Sequence, residues 1–254
     1  NNCEIVLNGF DNISLTQSQS ILKNKYNISR SFNKSSGQIY IGYFSGTNTH
    51  DVDFLACEEA LIKILEKYEF VSFVLGGFLK LSNKFIKFKE RIIRLPFVNY
   101  HNQLIYLSLI DINIAPLEVG NIFCEAKSNL KFYEAALVKV PTIASATEPF
   151  VSSIIDGFSG YVATIAADWF AYLEKMIINK KHRVSLGENA YEFVTKNYNQ
   201  NFTGSQFLSV INKNLKAPIN FTNKSPKKIS KTLRVGFIVP GLNYSSGGTR
   251  NIFR

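Results

Sequence analysis

Cysteine, histidine, methionine and tryptophan are all scarce in this chain of 254 residues: three, three, one and one. Cys3, Cys57 and Cys124 stand far apart with no C-x-x-C pair. That excludes a disulfide framework and fits a reducing, cytoplasmic compartment. His50, His101 and His182 are equally scattered, so no zinc-ligand spacing exists. No apolar run approaches the roughly 20 residues that span a bilayer, and the polar opening Asn1-Asn2-Cys3-Glu4 is unlike a signal peptide. Because Met176 is the only methionine, residue 1 is expected to be an internal cut, with the natural start upstream. Acidic side chains are outnumbered 19 to 29, a net charge of +10, which asks for an anionic partner: nucleic acid, an acidic membrane surface or a phosphorylated ligand. Part of the excess lies in Lys224, Lys227, Lys228, Lys231 and Arg234. That stretch reads as a solvated linker, and no nucleic-acid module accompanies it.

What is present suffices for a core: 46% hydrophobic and 13% aromatic residues, too many for a disordered chain. Ile5 to Leu7 reads as a short strand before a turn at Asn8-Gly9, and residues 11–36 as polar loop with a short helix. From residue 38 the pattern alternates. Ile39 to Phe44 is a near-continuous apolar run, as in a strand buried on both faces. A helix follows from Asp51 or Asp53, with Phe54, Cys57, Leu61, Leu65 and Tyr68 as its apolar stripe. Further strands are expected at 70–75, 91–95, 111–115, 141–145 and 161–164, with helices at 102–109, 128–138 (Ser128 as its cap) and 150–156, the last closed by Gly157. Three more helices are expected at about 166–179, 181–197 and 203–215. Strands alternating with helices imply an α/β fold with a Rossmann-like, doubly wound parallel sheet. At Leu233 to Pro240 a new strand runs into Gly241 and Gly247-Gly248, the truncated start of a second α/β domain.

In such a sheet ligands bind at the carboxyl ends of the strands. Three loops there offer chemistry. Ser45-Gly46-Thr47-Asn48-Thr49-His50 carries small polar residues beside a helix N-terminus, which suits an anion cradle or an empty tight turn. In Glu125 to Glu134, Lys127, Lys131 and Glu134 fall within about 60° on a helical wheel. They could hold a diphosphate and a ribose near a favourable helix dipole, or form a solvated stripe with charge pairing. Ala146-Thr147-Glu148-Pro149-Phe150 could add a hydroxyl or carboxylate at the mouth. Asp51-Val52-Asp53 has the D-x-D form of a metal–diphosphate motif, but its place at a helix start favours capping without a metal.

Taken together, Ile41-Gly42-Tyr43-Phe44-Ser45-Gly46-Thr47 with Thr49-His50-Asp51 and Asp53-Phe54 resembles a bacterial branch of the retaining glycosyltransferase family 4 (group 1). So do Leu95-Pro96-Phe97-Val98, Asp111 to Glu118, Phe123 to Ser128, the continuation through Leu130-Lys131 and Glu134-Ala135-Ala136 to Val140–Ser145, and Ile155-Asp156-Gly157 with Gly160-Tyr161. Leu7-Asn8-Gly9-Phe10-Asp11 is similar to the inter-domain crossing of these enzymes, and Arg234 to Arg250 to the first strand and glycine loop of another. The resemblance implies a GT-B fold, of which this chain would be the C-terminal, donor-binding half. The segments are then a crossing and lead-in at 1–37, a nucleotide-sugar-binding domain at 38–215, a basic linker at 216–231 and a truncated further transferase-like domain at 232–254.

By that resemblance Glu134 matches the second glutamate of the family's E-x7-E element and binds the donor ribose. Ala126 stands where the first would be, with Glu125 one residue away as the donor-sugar contact. Ser45, Gly46, Thr47, Lys127, Ser128, Asn129 and Lys131 would meet the donor phosphates, the two lysines replacing an absent Arg…Lys-Gly pair. The implied activity is hexosyl transfer from a nucleotide diphosphate sugar to a glycan or lipid-linked acceptor, held by an N-terminal domain outside this sequence. It would proceed with retention, without an obligatory metal or other cofactor, in surface polysaccharide or lipopolysaccharide synthesis. No catalytic nucleophile or base is assigned, nucleic acid is not expected as a partner, and this fragment alone is expected to be inactive. The positive charge would suit docking at the acidic inner face of a membrane. Two rivals remain: a non-catalytic nucleotide-sugar-binding module, and a nucleotide-sugar epimerase on the same fold, for which His50 is the one histidine near the cleft.

Overall fold

A computed structural model of the chain describes residues 6, 8–32, 34, 36–45, 51–96 and 98–214. Six strands form one parallel sheet: β1 (Ile39–Ser45), β2 (Val71–Gly77), β3 (Ile92–Leu95), β4 (Ile112–Ala115), β5 (Thr142–Ser145) and β6 (Gly160–Ala163), in spatial order β3-β2-β1-β4-β5-β6. β1, β2, β4 and β5 are buried along almost their whole length. Their residues are therefore mainly apolar on both faces rather than alternating with exposed polar ones. Pairing is in step, Ile41 opposite Val-flanked Phe73 on one side and Ile112 on the other. This is the doubly wound sheet expected from the alternation.

The chain winds outward from β1 to β3, returns to the centre at β4 and winds outward again to β6. The strand order therefore reverses between β1 and β4, and the crevice at their carboxyl ends is the topological switch point. One face of the sheet is covered by α2 (Asp51–Lys67), α7 (Ala166–Ile178) and a 3-10 helix (Asn83–Arg91), which bury Phe54, Leu61, Phe85, Trp169 and Leu173 against Ile41, Tyr43 and Phe73. The other is covered by α3 (Tyr100–Leu109), α5 (Leu130–Leu137) and α8 (Lys180–Asn197), around Leu104, Phe132, Tyr133, Ala190 and Val194. Two single-turn helices, α4 (Ile122–Glu125) and α6 (Glu148–Val151), sit in the loops after β4 and β5, and α9 (Gln200–Asn214) is the last described helix.

Residues 12–31 depart from expectation. They form a continuous 20-residue helix, α1 (Asn12–Ser31), not a loop with a short helix. Asp11 caps it by accepting from the Ser14 amide at 2.8 Å. Its buried residues are Ser14, Ser18 and Ile21, and Ser18 Oγ donates to the Leu137 carbonyl at the end of α5. Ser14 and Ser18 interrupt an apolar stripe of Leu15, Ile21 and Ile28, so periodicity passes the helix over. The linker expected at 216–231 and the strand and glycine loop expected at 232–254 lie outside the described residues.

Two glycines hold the ends of elements together. Gly77 closes β2 at φ +86°, where a Cβ would stand 1.9 Å from the Ser45 carbonyl oxygen. The ends of β1 and β2 can approach this closely only without a side chain. Gly187 of α8 lies against the carbonyl of Lys139, which a Cβ would meet at 2.3 Å. Lys139 itself ends α5 in the left-handed region at φ 57°.

Candidate functional site

The crevice at the switch point is bordered by the end of β1, the loop from Pro116 to Asn129 after β4, and the first turn of α5. Buried Asn113 of β4 anchors that helix, its Nδ2 donating to the Lys131 carbonyl at 3.0 Å and to Thr142 Oγ1 at 3.1 Å. Leu117 is pinned through its amide to Ser145 Oγ at 2.8 Å. The backbone around the crevice is thus held by side chains rooted in the central strands.

α5 begins at Leu130, with Asn129 rather than Ser128 at the capping position. The Asn129 side chain does not cap: its Nδ2 turns inward to Ser153 Oγ at 2.6 Å and Tyr198 Oη at 2.8 Å. Ser128 is exposed. Among the described residues no acceptor meets the amides of Ser128, Asn129, Leu130 and Lys131. Toward the described residues they are open donors at the positive end of a helix dipole.

Lys131 points from α5 toward β1. Its ammonium donates to the Phe44 carbonyl and lies 5.1 Å from the centre of the Tyr43 ring. Burial pulls its pKa down to about 8, with Glu134 drawing it up and Lys127 pushing it lower. Lys127 precedes the helix and reaches the crevice from the loop, so it is not on the helical wheel assumed above. Its Nζ pairs with Asp53 Oδ2 of α2 at 2.8 Å and lies 5.2 Å from the centre of the Phe123 ring. Glu134, on α5 one turn beyond Lys131, is buried and accepts from Gln103 Nε2 of α3 at 2.9 Å.

The other candidates are placed as follows. Ser45 is buried at the end of β1, its carbonyl accepting from the Phe78 amide at 3.3 Å. Gly46, Thr47 and His50 lie outside the described residues. Glu125 bridges two loops, accepting from the Gly120 amide at 3.1 Å and the Glu148 amide at 2.7 Å. Asp51 and Asp53 do open α2, but the Asp53 carboxylate crosses to Lys127. Among the described residues no group of three or more His, Cys, Asp and Glu is arranged to hold a metal ion. Asp53 as the partner of Lys127, and Gln103 as the partner of Glu134, were not legible beforehand, because each comes from a different element.

A separate pocket of about 280 Å³ lies on the other flank of α2, lined by Asp51, Leu55, Glu58, Lys80 and Ser82 among others. It sets one lysine against two carboxylates and does not suit an anion. The switch-point crevice, with two lysines and four open amides, does.

No protein-family model and no curated protein matches this chain. Its fold matches solved structures. The C-terminal domain of the group 1 family glycosyl transferase LpcC from Francisella tularensis superposes with a TM-score of 0.51 at 21% identity, over 70% of this chain and 94% of that domain. HepE from Anabaena, in complex with UDP, gives a TM-score of 0.60 at 14% identity, over 83% of this chain and 57% of that one. A glycosyltransferase from Rickettsia africae gives 0.60 at 16%, over 84% and 57%. This is the fold of a GT-B C-terminal domain. The chain spans nearly all of the isolated LpcC domain and little more than half of the two longer transferases. In the GT-B frame the switch-point crevice is the carboxyl-end crevice of a Rossmann-like half, lined here by Lys127, Lys131 and the start of α5.

Proposed function

We propose that this chain is the donor-nucleotide-binding domain of a glycosyltransferase that moves a sugar from a nucleoside diphosphate sugar to an acceptor. The observation that carries the reading is the pairing of two lysines with the open amides of Ser128 to Lys131 at the switch point of the sheet. A diphosphate would take the Lys127 and Lys131 ammoniums and those amides. The ribose hydroxyls would donate to Glu134, whose place on α5 is one turn beyond Lys131. Oriented amides and ammoniums that meet charge developing on the leaving diphosphate are an electrostatic mode of catalysis and call for no nucleophile from this domain. The likeness to UDP-bound HepE supports a nucleoside diphosphate as the ligand.

The resemblance to group 1 transferases extends the proposal to transfer with retention, without an obligatory metal. The acceptor would be a glycan or lipid-linked molecule, held by a second domain, in surface polysaccharide or lipopolysaccharide synthesis. The net charge of +10 supports a place on the acidic inner face of a membrane. Among the described residues no helix is long and apolar enough to cross one. Ser45 and Glu125 remain the proposed contacts to the phosphates and the transferred sugar. Calorimetry with UDP, GDP and dTDP, alongside a Glu134→Ala variant, tests the reading. Selective binding of one diphosphate that the variant loses supports it and names the base. A folded protein that binds none of the three contradicts it.

A further inference from the structure

Asp53 makes no proposed contact to the donor itself, yet its carboxylate is 5% exposed and accepts from three groups of one loop. These are Lys127 Nζ at 2.8 Å, Cys124 Sγ at 3.3 Å and the Glu118 amide at 3.3 Å. All three belong to the single loop that leads from β4 to α5. Its helix, α2, otherwise packs through Phe54, Cys57, Leu61, Ile64 and Leu65. A carboxylate this deep is costly unless it is paired, and an apolar residue would be cheaper at the same place. We infer that Asp53 is a positioning residue of the anion site: it fixes Lys127 at the crevice and ties the loop that carries it to α2. The inference rests on the donor-site reading above.

Groups from four parts of the chain face Lys131. β1 contributes the Phe44 carbonyl and the Tyr43 ring; α2 contributes Asp53; the loop contributes Lys127; its own helix contributes Glu134. A neighbouring ammonium makes a buried one easier to deprotonate. Lys127 acts on Lys131 in that sense, while Asp53 and Glu134 act against it. Removing the Asp53 charge would take away one of these two carboxylates and leave Lys127 without the partner that holds it in place. The same carboxylate ties Glu118 and Cys124 to α2, which sets how far the loop stands from the end of β1. A carboxylate that merely competed with phosphate for Lys127 would have the opposite effect, and its removal would tighten anion binding.

The test is UDP binding by calorimetry from neutral to alkaline pH for the natural protein, Asp53→Asn, Lys127→Met and the double variant. With it goes a ligand-free titration of the Lys131 side chain by carbon NMR. Asp53→Asn is expected to weaken UDP binding about tenfold and to move the alkaline loss of affinity to lower pH, with Lys131 titrating lower in parallel. The two losses are expected to be non-additive, the double variant binding within about threefold of Lys127→Met. Affinity that is unchanged or tighter, an unshifted Lys131 titration, or strictly additive losses would overturn the inference. Additive losses together with a lower Tm would mark Asp53 as structural only. If the natural protein binds neither UDP nor another nucleoside diphosphate, the donor-site reading fails. The Lys131 titration then still decides whether Asp53 holds that lysine charged.

Discussion

Replacing Lys131 by methionine is expected to stabilise the ligand-free protein while removing its response to a nucleoside diphosphate. Burial lowers the Lys131 pKa from 10.5 to about 8. At about 1.4 kcal/mol per unit, that corresponds to roughly 3 kcal/mol spent at neutral pH to keep the ammonium charged. Methionine has a similar length and no charge to desolvate. It also forfeits the hydrogen bond to the Phe44 carbonyl, a loss of about 1–2 kcal/mol. The net gain is then about 1–2 kcal/mol, a rise in Tm of a few degrees for a domain of this size. The binding side runs the other way. One ammonium facing one phosphate charge at about 4 Å contributes up to about 4 kcal/mol in a partly screened site, so a loss of about a hundredfold in affinity is expected. Thermal melts with and without UDP read both quantities, since saturating ligand at about a hundred times Kd adds about 2.7 kcal/mol. A Lys131→Met protein that melts lower than the natural one and still gains stability from UDP would refute the reasoning.

pH separates the same two effects. Because the folded pKa lies below the unfolded one, the unfolded state binds more protons between about 8 and 10.5. The Lys131 contribution to stability therefore rises with pH through that window and is lost as pH falls through about 8. UDP affinity, which needs the charged form, falls over the same range. The difference between the natural protein and Lys131→Met should show both trends.

Other outcomes follow from single contacts. Glu134→Gln keeps the volume but removes the acceptor charge, so UDP binding should weaken about tenfold while inorganic pyrophosphate binding stays the same by competition calorimetry. Gly77→Ala forces a Cβ onto the Ser45 carbonyl at positive φ and should cost about 2–4 kcal/mol in denaturant titrations. Asn129→Ala empties the bonds to Ser153 and Tyr198. It should lower stability by about 1–3 kcal/mol while leaving UDP affinity within about twofold, because the phosphate would use its amide and not its side chain.

The sheet was legible because its central strands are buried on both faces and spell themselves as mainly apolar runs ended by Gly-Gly, Pro or Ser. α1 was not, because Ser14 and Ser18 interrupt its apolar stripe of Leu15, Ile21 and Ile28. The 3-10 helix was also passed over: Phe85 and Phe88 are buried three residues apart among lysines, too short a span to show a period. In the crevice, Lys131 and Glu134 were legible as neighbours, since both lie on one short helix at i, i+3. Lys127 was placed on that helix by its spacing, but it arrives from the loop, because Asn129 is drawn inward and the helix starts only at Leu130. Asp53 and Gln103 reach their partners from α2 and α3. Such contacts depend on how helices dock on the sheet, and no local pattern in the chain records them.

The most direct test of the central claim is an amide NMR titration of this chain with UDP and GDP. The account predicts that the largest shifts fall on the amides of Ser128 to Lys131, saturate with one equivalent of the preferred nucleotide, and vanish in Lys131→Met. Shifts centred elsewhere on the fold, or none at all with either nucleotide, would contradict it.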